Sequence, residues 1–500
     1  MPPTSSPSIV NEHLRRNKLG VPSVVFFVVA AAAPLTVIAG GAVTAVAVTE
    51  LIAVPIGYLV IALVLAVFSA GYVAMSRHVV NAGAFYSYIT RGLGRRFGVS
   101  AAGVAVMAYN LMQVGLYGAF GFVAAQVLDT FGVGVSWWVC ALVGWAIVGV
   151  LGLLDVSLNG RVLAAMLLAE VVIVLIYDAV MISHPAGGTV QWDALDPGQL
   201  LNPSIAAVMV VSVAGFVGFE ATVVFSEEAR DPKRTIARAT YIAIVAVGLL
   251  YGLSAWAISV ATGPEAFVGR AKADGTELMF NLVVPYVGQT FVDIGHLLFL
   301  TSLFAALLVF HHTVARYSYA LGREQVLPPM FGRIVRRTGA PKYGSLAQTA
   351  LGLVVIVTYA IAGLDPVDNM FARLTTIGGL GVLILMAATS FSVIGFFRRE
   401  PHDEPVWRRV IAPLLAGIFL AVLAIITILN LGSLLNVDAT SPVAWGFPVA
   451  YGVIAAVGLI WATILKWLRS DIFARIGLGV ETSATPDSGL DMQRSHRVGV

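Results

Sequence analysis

Glu170 stands alone among Met166, Leu167, Leu168, Val171 and Val172, a carboxyl with no charged neighbour in the run. Such a group is costly to keep ionised in apolar surroundings, so it is a candidate to bind and release a proton. A permanently protonated carboxyl, hydrogen-bonded to a neighbouring helix, is the structural alternative. A second carboxylate, Glu220, closes the stretch Gly215-Phe216-Val217-Gly218-Phe219. It could orient a substrate ammonium or hold a broken helix to its neighbours. The third constellation has no charge: Ala33-Pro34-Leu35-Thr36, followed by Gly40-Gly41. Pro34 removes a backbone donor and clashes with the carbonyl four residues earlier. Unwound backbone at either place exposes N–H groups that suit a carboxylate and carbonyls that suit an ammonium. A zwitterionic amino acid carries both. Phe216 flanks one break and is the aromatic best placed to gate it; Phe219, Tyr109 and Tyr117 are further candidates.

The elements that position these groups follow from composition. The chain has 500 residues, 58% hydrophobic and 11% charged, where soluble proteins carry about a quarter charged residues. Apolar runs of about 20 residues, long enough for a hydrocarbon core roughly 30 Å thick, recur near 22–47, 52–75, 99–128, 135–154, 162–182, 204–226, 239–262, 286–318, 345–363, 372–397, 410–432 and 444–468. The expectation is an all-α polytopic membrane protein with twelve transmembrane helices. Pro34 falls about 12 residues into span one and Gly215 about 11 into span six, so the breaks sit at matching depth. Matched interruptions in two halves are the best sequence pointer to a transporter binding site. Each break taken singly also reads as a kink, since Pro and Gly are common in membrane helices. With both termini on one side, every basic residue of the 30 except Arg270, Lys272 and Arg373 falls on that side. The positive-inside rule makes it the cytoplasmic face of a bacterial-type inner membrane. The polar stretch Met1 to Gly20 shows no cleavable-signal pattern. Glu481 to Val500 has the composition of an unstructured tail.

Gly218-Phe219-Glu220, with Glu227-Glu228-Ala229-Arg230-Asp231-Pro232-Lys233-Arg234 behind it, resembles the span-six motif and following loop of the amino acid–polyamine–organocation superfamily. Ala315 to Glu324, with Leu327-Pro328 after it, is similar to the end of that family's eighth span. Asn81-Ala82-Gly83-Ala84-Phe85-Tyr86-Ser87-Tyr88 resembles its segment after span two. The resemblance implies a bacterial amino acid permease with the five-plus-five inverted-repeat, LeuT-like fold, interrupted helices one and six, and alternating access between them. In that division residues 1–21 are a cytosolic segment, 22–182 the first repeat, 204–397 the second, 410–468 helices eleven and twelve outside the core, and 469–500 the tail. Counted from Arg161, Glu170 falls where some proton-coupled relatives place a lysine beside span one. Thr301 and Ser302 sit where sodium-coupled relatives use hydroxyls against span-one carbonyls, so sodium is the rival coupling ion. The chain departs from the pattern at Ala33-Pro34-Leu35-Thr36, where many relatives are Gly/Ser-rich, and at Ala237, where they place proline.

The expected partners are an amino acid substrate, a proton or sodium ion, and the lipid bilayer, with no cofactor and no nucleic acid. Cationic amino acids or polyamines are the alternative substrates. No nucleotide-binding Gly-x-x-x-x-Gly-Lys-[Ser/Thr] loop, HExxH or G-x-S-x-G motif occurs, which argues against an enzyme. A channel would need a ring of charges or carbonyls, usually from symmetric subunits. Asp293 and His296, three apart on one helical face, read as a solvated vestibule pair. His311 and His312 read as interfacial residues near Arg316.

Overall fold

The computed structural model describes residues 19–154, 156–202 and 204–479, without the side chains of 156–163. The N-terminal segment before Leu19, the Arg161 side chain and the tail from Glu481 to Val500 lie outside the described residues. Among those described, the chain is helical throughout, with two isolated backbone bridges and no strand. Among the described residues, ten helices are long and apolar enough to cross a membrane.

Span one is discontinuous. Helix α1 (Val21–Ala32) opens with Pro22 in its first turn, where a missing N–H costs nothing. It stops at Ala33, whose left-handed backbone (φ 46°, ψ 69°) precedes Pro34. A π-helical segment, Thr36–Ala42, then leads into α2 (Val43–Thr49). Helix α3 (Val54–Ser76) follows as span two, and α4 (Ala84–Leu93) runs from there to α5 (Arg95–Asp129), 35 residues long. Next come α6 (Trp137–Leu151) and α7 (Val156–Ser183).

Span six is broken in turn: α8 (Ile205–Gly215) gives way to turns over 216–220, with a single helical turn, α9 (Ala221–Val224), beyond. Helices α6 and α8 are apolar but shorter than the ten long ones, and lie where spans four and six are expected. After α10 (Pro232–Thr262), the loop expected before span eight contains two helices, α11 (Pro264–Asp274) and α12 (Leu278–Val287). Helix α13 (Gln289–Arg323) continues five residues past its expected end. Then follow α14 (Lys342–Ile361), a second π-helical segment (Pro366–Ala372), α15 (Arg373–Arg399) and α16 (Ala412–Leu429). The short α17 (Leu431–Leu434), α18 (Pro442–Leu468) and α19 (Ser470–Arg475) complete the chain.

Helices α5 and α15 form the interior. Helix α5 packs on α15, α13, α18, α6 and α4; α3 packs on α10; α1 lies among α10, α7 and α13. In its most apolar window the segment Pro366–Arg399 is 78% buried and α18 only 17%, which puts α18 at the lipid-facing rim. Past α18 the start of the expected tail packs on the bundle: α19 packs back on α18, and Gly477 and Gly479 dock on Glu324.

Candidate functional site

At the span-one break, the N–H of Leu35, which has no helical partner beyond Pro34, donates to Glu170 Oε1 of α7 at 2.5 Å. The same oxygen accepts from Ser302 Oγ of α13 at 2.7 Å. Thr36 Oγ1 lies 3.3 Å from Ser302 Oγ, extending the cluster into the π-helical segment. On the other side of the break, Tyr251 OH of α10 donates to the Ala32 carbonyl at 2.7 Å. A break is tolerated at membrane depth only where its freed backbone groups find partners. Here α7, α10 and α13 supply them. Thr301, next to Ser302, turns away and bonds back to its own helix at Leu298 O.

The span-six break has a carboxyl group of its own, Glu220. Gly218 N–H donates to Glu220 Oε2 at 2.9 Å, and Tyr109 OH of α5 donates to Oε1 at 2.7 Å. Tyr72 OH of α3 reaches the Glu220 carbonyl at 3.0 Å. Gly218 is required where it stands: its φ is 118°, and a Cβ there would lie 2.7 Å from that of Ala31. The two broken helices therefore cross in contact.

Beside that crossing is a cavity of about 210 Å³. Ala33, Thr36 and Gly215 line it, together with Val37, Val217 and Phe310. Both π-helical segments named above border it, through Gly40 and Gly41 in one and Asp368 and Phe371 in the other. Single π-turns concentrate at functional sites because they bend a helix and redirect its side chains. Of the other sequence candidates, Pro34, Leu35, Phe216, Gly218 and Glu220 are packed behind this wall. Phe216 sits 5.5 Å from the Tyr251 ring and 6.3 Å from that of Tyr58, fixed in the core. Tyr58, which the sequence reading passed over, lines the cavity itself.

The cavity extends toward Thr276 and Asp368, away from the Arg-rich face, and the Arg-rich side is sealed. There Glu228 pairs with Arg316 (2.6 and 3.1 Å) and Glu227 with Arg323 (2.8 and 2.9 Å). Glu227 also accepts from Ala82 N. Glu324 is buried and accepts from Asn81 Nδ2, Tyr86 OH and the amides of Gly477 and Gly479. Leu19 adds a backbone bridge to Ala229. The three motifs that carried the family resemblance thus converge on one closure.

Some placements differ from expectation. His311 and His312 are buried rather than interfacial. His311 lies between Gln113 Nε2 of α5 and Ser345 Oγ of α14, at 3.2 and 2.7 Å, in a network that also includes Gln348. They were misplaced because α13 runs on to Arg323, which draws this part of it into the bundle. Asp293 and His296 do not pair: Asp293 bonds Gln289 and His296 bonds Glu277 at 2.9 Å, although both line one vestibule. Sequence reasoning missed Tyr72, Tyr251, Asn81 and Glu324 as ligands of other groups. Glu324 and Asn81 carried a signal, being polar residues inside motifs that otherwise looked like punctuation.

An all-helical membrane bundle with two interrupted helices crossing at a lined cavity, closed on one side by ion pairs, defines a polytopic solute carrier. Residues 23–475 match the amino acid permease family, and the chain belongs to that family, within the amino acid–polyamine–organocation superfamily. Its members are transporters, not enzymes. The chain is 22% identical over 283 residues to the branched-chain amino acid permease BcaP of Bacillus subtilis, covering 56% of each protein. It is 25% identical over 191 residues to the low-affinity putrescine importer PlaP of Escherichia coli, covering 38% of this chain and 39% of that one. An uncharacterized transporter of Mycobacterium tuberculosis is 29% identical over 215 residues, 42% of this chain and 43% of its own. The chain spans about half the length of these curated relatives, or less.

Proposed function

We propose that the chain is a proton-coupled symporter of a neutral amino acid that works by alternating access. In this reading it has twelve spans in a five-plus-five inverted repeat, with the Arg-rich face and both termini in the cytoplasm. The Lys/Arg asymmetry and the matched depth of the two breaks support that topology. The substrate site is the cavity beside Ala33, Thr36 and Gly215. About 210 Å³ is below the roughly 300–1,000 Å³ of drug-sized pockets and suits one small solute. Its lining is largely aliphatic and aromatic, and its only acid, Asp368, is exposed at the outer end. A diamine would be better served by a carboxylate at the centre, but Glu220 and Glu170 face the breaks instead. A neutral, apolar amino acid fits, as the name of the Bacillus subtilis relative suggests.

The observation that carries the coupling proposal is the bond from Leu35 N–H to Glu170. It makes the charge of a residue on α7 part of the capping of span one, so a proton on Glu170 alters the hold on the break. Sodium is the second reading, favoured by the oxygens of Glu170, Ser302 and Thr36 gathered in one place. Against it, the Ala32 carbonyl is already taken by Tyr251 and the Ala33 carbonyl by Val37 N. Uptake of labelled neutral, acidic and cationic amino acids and putrescine into proteoliposomes, under a proton or a sodium gradient, separates these cases. Neutral amino acids should accumulate under the proton gradient, and Glu170→Gln should bind substrate yet lose accumulation. Accumulation under sodium alone, unchanged in Glu170→Gln, would reject the proton reading.

A further inference from the structure

We propose that the Arg-rich face carries a binding site for an anionic glycerophospholipid, between the end of α3 and the first two turns of α10. A cavity of about 400 Å³ is lined there by Arg77, Lys233, Arg234, Ala237 and Arg238. Four of its five lining residues are cations and none is an acid. Positive-inside topology accounts for basic residues on this face, but not for their convergence from two helices on one concavity.

The local acids do not neutralise it. Glu404 takes Arg77 at 2.8 Å, and Asp231 approaches the exposed Arg234 at 3.7 Å. Among the described residues, Lys233 and Arg238 are exposed and form no ion pair. A fifth cation, Arg408, shares Glu404 with Arg77 at 3.3 Å. A phosphodiester supplies the missing charge and the acceptor oxygens that Arg and Lys donors seek.

The surroundings select a lipid rather than a free anion. From Arg234 and Arg238 the same outward face of α10 continues through Tyr241, Ile242, Val245 and Leu249, all exposed. Spacings of three and four residues place them in one stripe running from the cavity toward the membrane interior. Tyr241 lies within electrostatic reach of both Arg77 and Arg408, and Trp407 is exposed beside Arg408. Aromatic side chains at this level mark the headgroup region. A headgroup seated among Arg77, Lys233 and Arg238 would lay its acyl chain along the stripe. Basic pockets between membrane helices hold anionic headgroups in this manner.

The test uses purified full-length protein in mild detergent, with lipid retention read by native mass spectrometry and thermal unfolding. The probes are phosphatidylglycerol, phosphatidylcholine and glycerol 3-phosphate. Phosphatidylglycerol should be retained and raise the unfolding temperature, phosphatidylcholine should not, and glycerol 3-phosphate should fail to displace the lipid. The double variant K233Q/R238Q should bind phosphatidylglycerol roughly 30-fold more weakly, and K233Q alone about fivefold. R398Q/K466Q removes equal charge elsewhere on the same face and should bind as wild type. The proposal is overturned if the two double variants behave alike, or if phosphatidylcholine binds as tightly. Displacement by glycerol 3-phosphate would also overturn it, by making the cavity a site for soluble anions.

Discussion

Glu228→Gln should open the Arg-rich side. The Glu228 and Arg316 side chains are only 3% and 2% exposed, joined by two bonds of 2.6 and 3.1 Å. The guanidinium also lies 4.8 Å from the Phe225 ring centre, and Phe225 stacks on Phe27 of α1 at 4.7 Å. The Glu228 carbonyl receives Leu19 N–H at 3.0 Å. One ion pair therefore ties α1, α13 and the end of span six together. Breaking a buried pair by removing one partner costs about 3–5 kcal/mol, because the other charge is left uncompensated. If the pair exists only while this side is shut, that cost falls on the shut state. The ratio of shut to open molecules should then fall by roughly two to three and a half orders of magnitude.

Sidedness of thiol labelling reads this shift directly. Cys140 is the only cysteine and is buried, so Cys140→Ala provides a clean background. Val217→Cys places a thiol in the cavity wall beside the span-six break. With an impermeant reagent, Glu228→Gln should raise labelling from the Arg-rich face and lower it from the other. A fall in unfolding temperature with unchanged sidedness would refute the reasoning, since the pair would then serve the fold in both states. The double change E228L/R316M should recover much of the lost stability, because an apolar pair replaces a desolvated ionic one.

Gly218→Ala should abolish transport and destabilise the protein by about 1–3 kcal/mol or more, since it adds left-handed strain to a clash with Ala31; a thermal melt and an uptake assay check both. Tyr109→Phe removes a hydrogen bond to a buried carboxylate and should cost about 1.5–3 kcal/mol in the same melt. His78, just past the end of α3, has its pKa lowered below 6.5 by burial and by its neighbour His402, whose ring stacks on it 3.9 Å away. Its folded form resists a proton that the unfolded chain accepts, so stability should fall as pH drops below about 6.5 and level off above it. Melts between pH 5 and 8 should show this slope, and His78→Phe should flatten it.

How far the sequence could be read depended on the range of each interaction. The breaks were legible because Pro34 and the Gly215/Gly218 pair act on their own backbone. Glu170 was legible because a lone carboxyl in an apolar run is conspicuous. Tyr251 was not: it is one of 15 tyrosines, and its value lies in reaching Ala32, 219 residues away. Likewise the roles of Asn81 and Glu324 depend on a meeting across 243 residues. Helices α11 and α12, of 11 and 10 residues, were too short to stand out from a loop.

The two breaks share one solution, a carboxylate on a freed N–H, yet they differ in where the carboxylate comes from. Glu220 sits two residues from the amide it caps and is held from both sides by α3 and α5. Its cap on Gly218 lies within one short segment, so a shift of one helix against another leaves that contact in place. Glu170 reaches Leu35 from 135 residues away, on a separate helix. That contact can be lost by a shift of α7 against α1, or weakened by a proton on the carboxylate. Of the two interrupted helices, then, only the first takes its capping carboxyl from another helix. The proposed coupling role of Glu170 and anchoring role of Glu220 rest on that asymmetry rather than on the chemistry of the carboxyl, which is the same in both.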